Sequence, residues 1–360
     1  MKRLLDSDSL RALARGCAVL GAGGGGDPYI GLMQALQATE DFGLVTLVDL
    51  DELPDEGLIM PCGMIGAPTV SIEKILNGDE GGRLREHLEF MTGRRVAALM
   101  AAEIGGANGL LPITWAARIG LPVADADGMG RAFPEVPQVT MHLAGLSPSP
   151  AVMTDERGNL VIFQTVSGHW MERLERAAAV EFGGSASSTE FSMTAEQARG
   201  ATVRDSVSLA IRIGEAVSRA QESPVDALIA ELGAFRLITG KVLDVERRTT
   251  SGFARGSVVV EGLDVDAGRL IRLELQNENL VALERGHVLA SVPDLITVLD
   301  SETAGAIATE RIAYGQRVTV IAFGCDPVWR TEEGIAVAGP RAFGYEFDYL
   351  PVEELAGATA

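Results

Sequence analysis

The sequence predicts an α/β protein in two parts. Residues 1–165 read as a three-layer domain with a mostly parallel sheet, and residues 166–360 as accessory helices followed by a β-rich, barrel-like domain. Three observations carry this. Apolar runs of strand length recur at Gly43–Val48, Gly57–Met60, Arg95–Ala101 and Leu121–Ala124. Such runs lead into glycine-bearing polar loops and then helical stretches, the alternation that builds parallel sheets covered on both faces. Beyond Phe235 the texture changes to short strands separated by Gly, Asp and Asn turns, as in barrels and sandwiches. At 360 residues the chain is also too long for one core.

In chain order, Ser7–Gly16 reads as a capped helix ended by Gly16, followed by a short apolar run, Cys17–Leu20. Then comes Gly21-Ala-Gly-Gly-Gly-Gly-Asp-Pro-Tyr29, in which Gly21, Gly23 and Gly26 satisfy a dinucleotide fingerprint, with Asp49 placed like a ribose-binding acid. Asp27 argues against a standard NAD site, since an acid beside a pyrophosphate repels it. The better reading is a turn whose Gly23, Gly24 and Gly25 amides face an anionic group or a ligand carbonyl, with Asp27 beside them. A tight turn needed only for packing is the plain alternative. The strand after Gly57 leads into Pro61–Thr69 and a helical stretch with Glu73 and Lys74. The strand after Arg95 leads into Glu103-Ile-Gly-Gly-Ala-Asn-Gly109. Ala151–Thr154 and Leu160–Thr165 flank a hairpin turn, residues 167–182 form a helix, and Gly183–Thr189 reads as a linker or lid. Asp205 can cap a helix whose Val207, Ala210, Ile211, Gly214 and Val217 make a core stripe.

Composition excludes several functions. A net charge of −20 argues against nucleic acid or an anionic membrane as partner. No apolar run has the roughly 20 residues a membrane span needs. Acids stand where a signal peptide needs its apolar region, so the cytoplasm is the expected location. Cys17, Cys62 and Cys325 are scattered, without a disulfide framework or thiolate zinc spacing. With four histidines in all, a bound metal would lean on acids, which suit magnesium, manganese or a mixed zinc site.

The richest stretch is Asp125-Ala-Asp-Gly-Met-Gly-Arg-Ala-Phe-Pro-Glu135, at the mouth of a strand. Asp125 and Asp127, two residues apart, point to one side of an extended chain. It is not a calcium loop: position five is Met129 and position twelve is Val136. Loops after parallel strands share one sheet edge. That edge should gather Asp27, Glu103, Asp125 and Asp127 in one cleft, with Asn108 and Arg131 at its wall and Glu135 near. Asp125, Asp127, Glu103 and Glu135 are therefore the candidate catalytic groups. Gly23, Gly24, Gly25, Asp27, Glu73, Lys74, Asn108 and Arg131 are the candidate substrate contacts. Asp27, Glu103, Asp125 and Asp127 are the candidate ligands of a divalent metal. Cys62 is a weaker candidate nucleophile. Taken singly, Asn108 reads equally as a helix cap and Glu73–Lys74 as a solvated pair.

Five ordered motifs together resemble the S-methyl thiohydantoin desulfurase family: Gly21–Pro28, Glu73-Lys74, Glu103–Asn108, Asp127–Glu135 and Gly339-Pro-Arg-Ala-Phe-Gly-Tyr345. The resemblance spans nearly the whole chain. It implies an α/β three-layer N-terminal domain, a barrel-like C-terminal domain, and a hydrolytic step on a sulfur-bearing five-membered imide. The expected partner is thus a small molecule, and the length and enzyme class predict a homo-oligomer. A nucleotide-dependent enzyme using the Gly21–Gly26 turn and a non-catalytic ligand-binding subunit are the alternatives.

Overall fold

In the computed structural model, which describes residues 2–66, 70, 74–250 and 253–359, two sheets organise the chain. Strand β1 (Arg3–Leu5) leads into helix α1 (Ser7–Leu20), capped where the Asp6 carboxylate accepts from the Ser9 amide. Gly16 does not end this helix. It lies inside, because α1 crosses helix Ser206–Arg219 at backbone contact: a Cβ at Gly16 would stand 1.9 Å from the Ala210 carbonyl oxygen. Cys17–Leu20 is therefore helical, and the glycine turn joins α1 to α2 (Pro28–Phe42). A dinucleotide fingerprint needs a strand before its glycines, and this turn has none.

The expected strands follow as β2 (Val45–Val48), β3 (Leu58–Gly66), β4 (Val96–Ala101) and β5 (Val123–Asp127), with α3 (Glu80–Thr92) and α4 (Leu111–Ile119) between them. They lie in the order β2-β5-β4-β3, all parallel, with β1 antiparallel on the edge. Side-chain alternation separates two cores. Leu58, Met60, Leu99 and Val123 face the layer that holds α1 and α4, while Ile59, Ala98, Met100 and Ala124 face Phe133, Phe191 and Trp329.

After α5 (Thr140–Leu143), β6 (Ala151–Thr154) and β7 (Leu160–Phe163) form the expected hairpin. Asp155 caps its turn, accepting from the Arg157 and Asn159 amides. Helix α6 (Gly168–Glu181) starts at the Ser167 cap. Gly183–Thr189 is neither linker nor lid: Ser185–Thr189 is a buried strand, β8, wedged between β3 and β6. Serines give no apolar alternation, so pairing on both edges, not pattern, makes this a strand. Two short strands, β9 (Met193–Thr194) and β10 (Val203–Arg204), flank α7 (Ala195–Ala201) and complete the sheet. Helices α8 (Ser206–Arg219) and α9 (Pro224–Leu232) follow, the stripe of α8 buried as expected. Asp205 does not cap α8 with its side chain; it sits in left-handed backbone, φ 59°.

The second sheet is antiparallel and seven-stranded: β11 (Phe235–Thr250), β12 (Phe253–Gly262), β13 (Leu270–Gln276), β14 (Glu278–Glu284), β15 (His287–Ser291), β16 (Leu295–Asp300) and β17 (Arg317–Phe323). Its order is β15-β14-β13-β12-β11-β17-β16. It curls into a half-barrel, so the Asn279 amide in β14 reaches the Ile296 carbonyl in β16 at 2.9 Å although the two strands are not neighbours in the order. The C-terminal segment, with α10 (Glu332–Ala338) and α11 (Val352–Thr359), is tied down by the buried Asp294. That carboxylate accepts from Arg330, the Tyr349 hydroxyl and the Val352 amide. Among the described residues no helix is long and apolar enough to cross a membrane.

Candidate functional site

The glycine turn is where the two sheets meet. On one side the Ala107 amide donates to the Gly25 carbonyl at 2.9 Å, tying the turn to the loop after β4. On the other, the Asn279 amide donates to the Ala22 carbonyl at 2.8 Å and the Thr309 amide to that of Gly23 at 2.9 Å. Gly24 packs so closely on β14 that a Cβ there would fall 2.1 Å from Oε1 of Glu278. Beside this junction lies a cavity of about 150 Å³, with Gly25, Glu103, Asn108, Glu135, Glu190 and Glu278 among the residues around it. Met64, Met129 and Phe133 form apolar parts of its wall.

The carboxyl groups in this wall are not equivalent. Glu103 is 8% exposed. Asn108 donates its amide to Oε1 of Glu103, and Oε2 has no partner among the described residues. Burial pushes its pKa up to about 8, against the pull of that amide. Glu278 is 2% exposed, its Oε2 likewise unpartnered. Burial, with the charge of Glu103 adding, takes it to about 8. Glu135 is half-buried and raised by burial, with Glu172 adding. Glu172 in turn accepts from the Val136 amide at 2.9 Å and from Arg176. Burial thus holds Glu103 and Glu278 well above the usual carboxylate range and raises Glu135 as well.

Of the residues the sequence singled out, Gly25, Glu103, Asn108 and Glu135 reach this cavity. Gly24 touches it through Glu278, and Gly23 packs on Asn279 and Thr309. The others are elsewhere. Asp125 and Asp127 do point to one side, but toward the start of α8. Asp125 accepts from the Ser208 amide at 2.9 Å and from its hydroxyl. Asp127 is fully buried, its Oδ2 accepting from the Ile104, Met129 and Gly130 amides at 2.8, 2.9 and 2.8 Å. It shapes the loops that carry Glu103 and Arg131, and burial raises it to about 6. Asp127→Ala orphans those buried amides, so stability should drop by roughly 3 kcal/mol, read by urea unfolding. An unchanged unfolding midpoint would refute that role.

Arg131 donates to the Pro293 and Asp294 carbonyls and stacks 4.3 Å from the Phe133 ring centroid, binding the loop after β5 to the β15–β16 turn. Burial lowers its pKa to about 10. Asp27 caps α2 through the Tyr29 amide and pairs with Arg311 at 2.8 Å, in a neighbouring hollow that also holds Lys74. Lys74 is spent on the Phe182 and Ser185 carbonyls and on Glu156 at 3.0 Å. Glu73 lies outside the described residues. The proposed metal ligands Asp27, Glu103, Asp125 and Asp127 therefore do not converge. Among the described residues no three His, Cys, Asp or Glu side chains gather to hold a metal ion. Cys62 is fully buried with its thiol on the Met60 carbonyl, and burial pushes its pKa up, against a nucleophilic role.

Sequence reasoning missed Glu278, Glu172, Arg176 and Glu190. Glu278 lies in Gln276-Asn-Glu-Asn279, which reads as a turn between strands; Glu190 follows the serine-rich strand read as a linker. A polar run bounded by two apolar strand halves was the available signal for Glu278.

Both halves of the chain match known domains. The model of the S-Me-THD-like N-terminal domain matches residues 8–165. That of the S-Me-THD-like C-terminal domain matches residues 166–352. No curated protein matches. A crystal structure of a protein from Chromobacterium violaceum is similar in fold, with a TM-score of 0.82 and 24% identity over 98% of this chain and 100% of that one.

Proposed function

The chain belongs to the S-Me-THD-like family, and from that membership we propose a hydrolase of small five-membered S-alkyl thiohydantoin rings that adds water at the sulfur-bearing carbon and releases a thiol. The observation that carries this reading is the pair of buried carboxyl groups beside the cavity, Glu103 and Glu278, each raised to about 8 and each with an oxygen that has no partner among the described residues. The chemistry needs such a group. As water adds to the carbon, the C=N electron pair moves onto the ring nitrogen, which must take a proton. Glu103 gives that proton, while Glu135 takes one from the water. The tetrahedral intermediate then loses its hydroxyl proton back to Glu103 as the C–S bond breaks, its electron pair leaving on sulfur, and the ring carbonyl forms; the proton that Glu135 took balances the one the departing thiolate needs. Asn108 and the glycine loop hold the ring in place.

The direct test is methanethiol release from S-methyl thiohydantoins, followed with a thiol reagent. Absence of release across varied ring substituents would sink the reading. The pH dependence has a definite sign. Glu103 acts protonated, so kcat/KM should fall as pH rises through about 8. The same group ionises near 4.5 when free. Its contribution to stability is thus complete below pH 4.5 and is lost as pH climbs through about 8. Glu103→Gln should therefore flatten the decline in melting temperature between pH 6 and pH 9, compared by calorimetry.

A further inference from the structure

The cavity holds a second carboxyl pair, on the far side of β3 from Glu103. Glu103 follows β4 and Glu190 follows β8, and these strands flank β3, so they lie about two strand spacings, ~10 Å, apart. Glu190 lines the cavity, while Glu175, from α6, is fully buried. The two carboxyl groups are close enough that the charge on Glu190 acts on Glu175, and no hydrogen bond holds either Glu175 oxygen among the described residues. Glu190 Oε1 and the Ser188 hydroxyl, 7% and 1% exposed at the residue level, have no partner among the described residues, and both residues line the cavity. Glu172 and Arg176 line the same end, and the Cys62 thiol is close behind. Burial raises both members of the pair.

We propose that Glu190, backed by Glu175, is the proton donor to the departing thiolate. The inference rests on the desulfurase reading above. In that reaction the ring nitrogen and the sulfur each need a proton; Glu103 gives its own to the nitrogen and recovers only the hydroxyl proton, so the sulfur's proton comes from a second group. When the C–S bond breaks, its electron pair leaves on sulfur, and the Glu190 carboxyl proton passes to it, giving the neutral thiol. The ring oxygen's proton has gone to Glu103. The proton that Glu135 took from water returns to Glu190 past Glu172, whose charge acts on Glu135 and on both members of the pair. No proton is gained or lost over the cycle. Glu175 is a positioning residue: buried beside Glu190, its carboxyl sets how readily Glu190 keeps or gives up its proton.

The test compares leaving groups. On an S-methyl substrate Glu190→Gln should lose ~100-fold in kcat, the usual scale for an acid–base group. On an S-(4-nitrophenyl) substrate, whose thiolate leaves without a proton, the same variant should stay within a few-fold of wild type. Glu103→Gln should lose on both, because attack still needs the ring nitrogen protonated. Glu175→Gln should follow Glu190→Gln and shift its pH profile. Equal losses on both substrates, or no loss on either, overturn the assignment. A wild-type protein that releases neither thiol refutes the desulfurase reading, and with it this one. Melting temperatures of each variant separate chemistry from misfolding.

Discussion

Gly24→Ala should lower kcat/KM for thiol release by about 100-fold while leaving the fold intact. The argument is steric and local. The nearest atoms to a Cβ at Gly24 are all in the Glu278 side chain: Oε1 at 2.1 Å, with Cδ and Cγ at 2.6 Å. Gly24 is not in left-handed backbone, so alanine brings no conformational strain. The chain therefore yields at Glu278, whose carboxyl must swing off its position, and displacements of about 1 Å at an active site cost on the order of 100-fold. Its neighbours give the contrast. Gly25 has φ 71° and a Cβ there would meet the Gly105 carbonyl oxygen at 2.3 Å, backbone that cannot move aside cheaply. Gly23 has φ 93°. Alanine at either position should lower the melting temperature as well as activity. Gly24→Ala with wild-type turnover would show that turnover does not depend on the place of the Glu278 carboxyl and leave the turn a packing device.

Much of the architecture was legible, and the reason is pattern. The apolar runs of β2 to β5 alternate with helices on a clear period, and the hairpin at Asp155 carries its own turn chemistry. That Glu103, Asn108 and Glu135 would line one cavity was legible because they follow strand ends at the edge where loops gather. What failed was the inference that every acid at a strand end faces that edge. Asp125 and Asp127 are still inside β5, and their shared side is the one covered by α8. Strand boundaries are uncertain by a residue or two, enough to move a carboxylate from the cavity to a buried amide cluster. The second half of the site was beyond reach for another reason. Glu278 and Glu190 arrive from β14 and the end of β8, remote in sequence from the glycine turn, and only the meeting of the two sheets brings them to it. Close sheet contact at glycines leaves no periodic trace; Gly24 looks like any loop glycine until Glu278 is placed against it.

Glu103→Gln should lower thiol release at least ~100-fold at pH 7, with melting temperature unchanged or higher. Glutamine keeps the volume and keeps an oxygen to accept from Asn108, so the wall of the cavity retains its shape. What disappears is the proton. A carboxyl raised to about 8 is mostly neutral at pH 7 and can donate to the ring nitrogen, whereas a carboxamide cannot. The stability expectation follows from the same burial. Above pH 8 the wild type must hold a charge in a site 8% exposed, with Asp127 adding repulsion, and glutamine removes that cost. The variant should therefore outlast wild type in thermal unfolding at pH 9 and match it at pH 5, where both are neutral. These readouts separate the two ways the idea can fail. Activity intact in Glu103→Gln would move the acid elsewhere, with Glu278 the next group to test by the same substitution. Activity lost together with a lower melting temperature at every pH would make Glu103 a structural anchor for Asn108 instead of a proton donor.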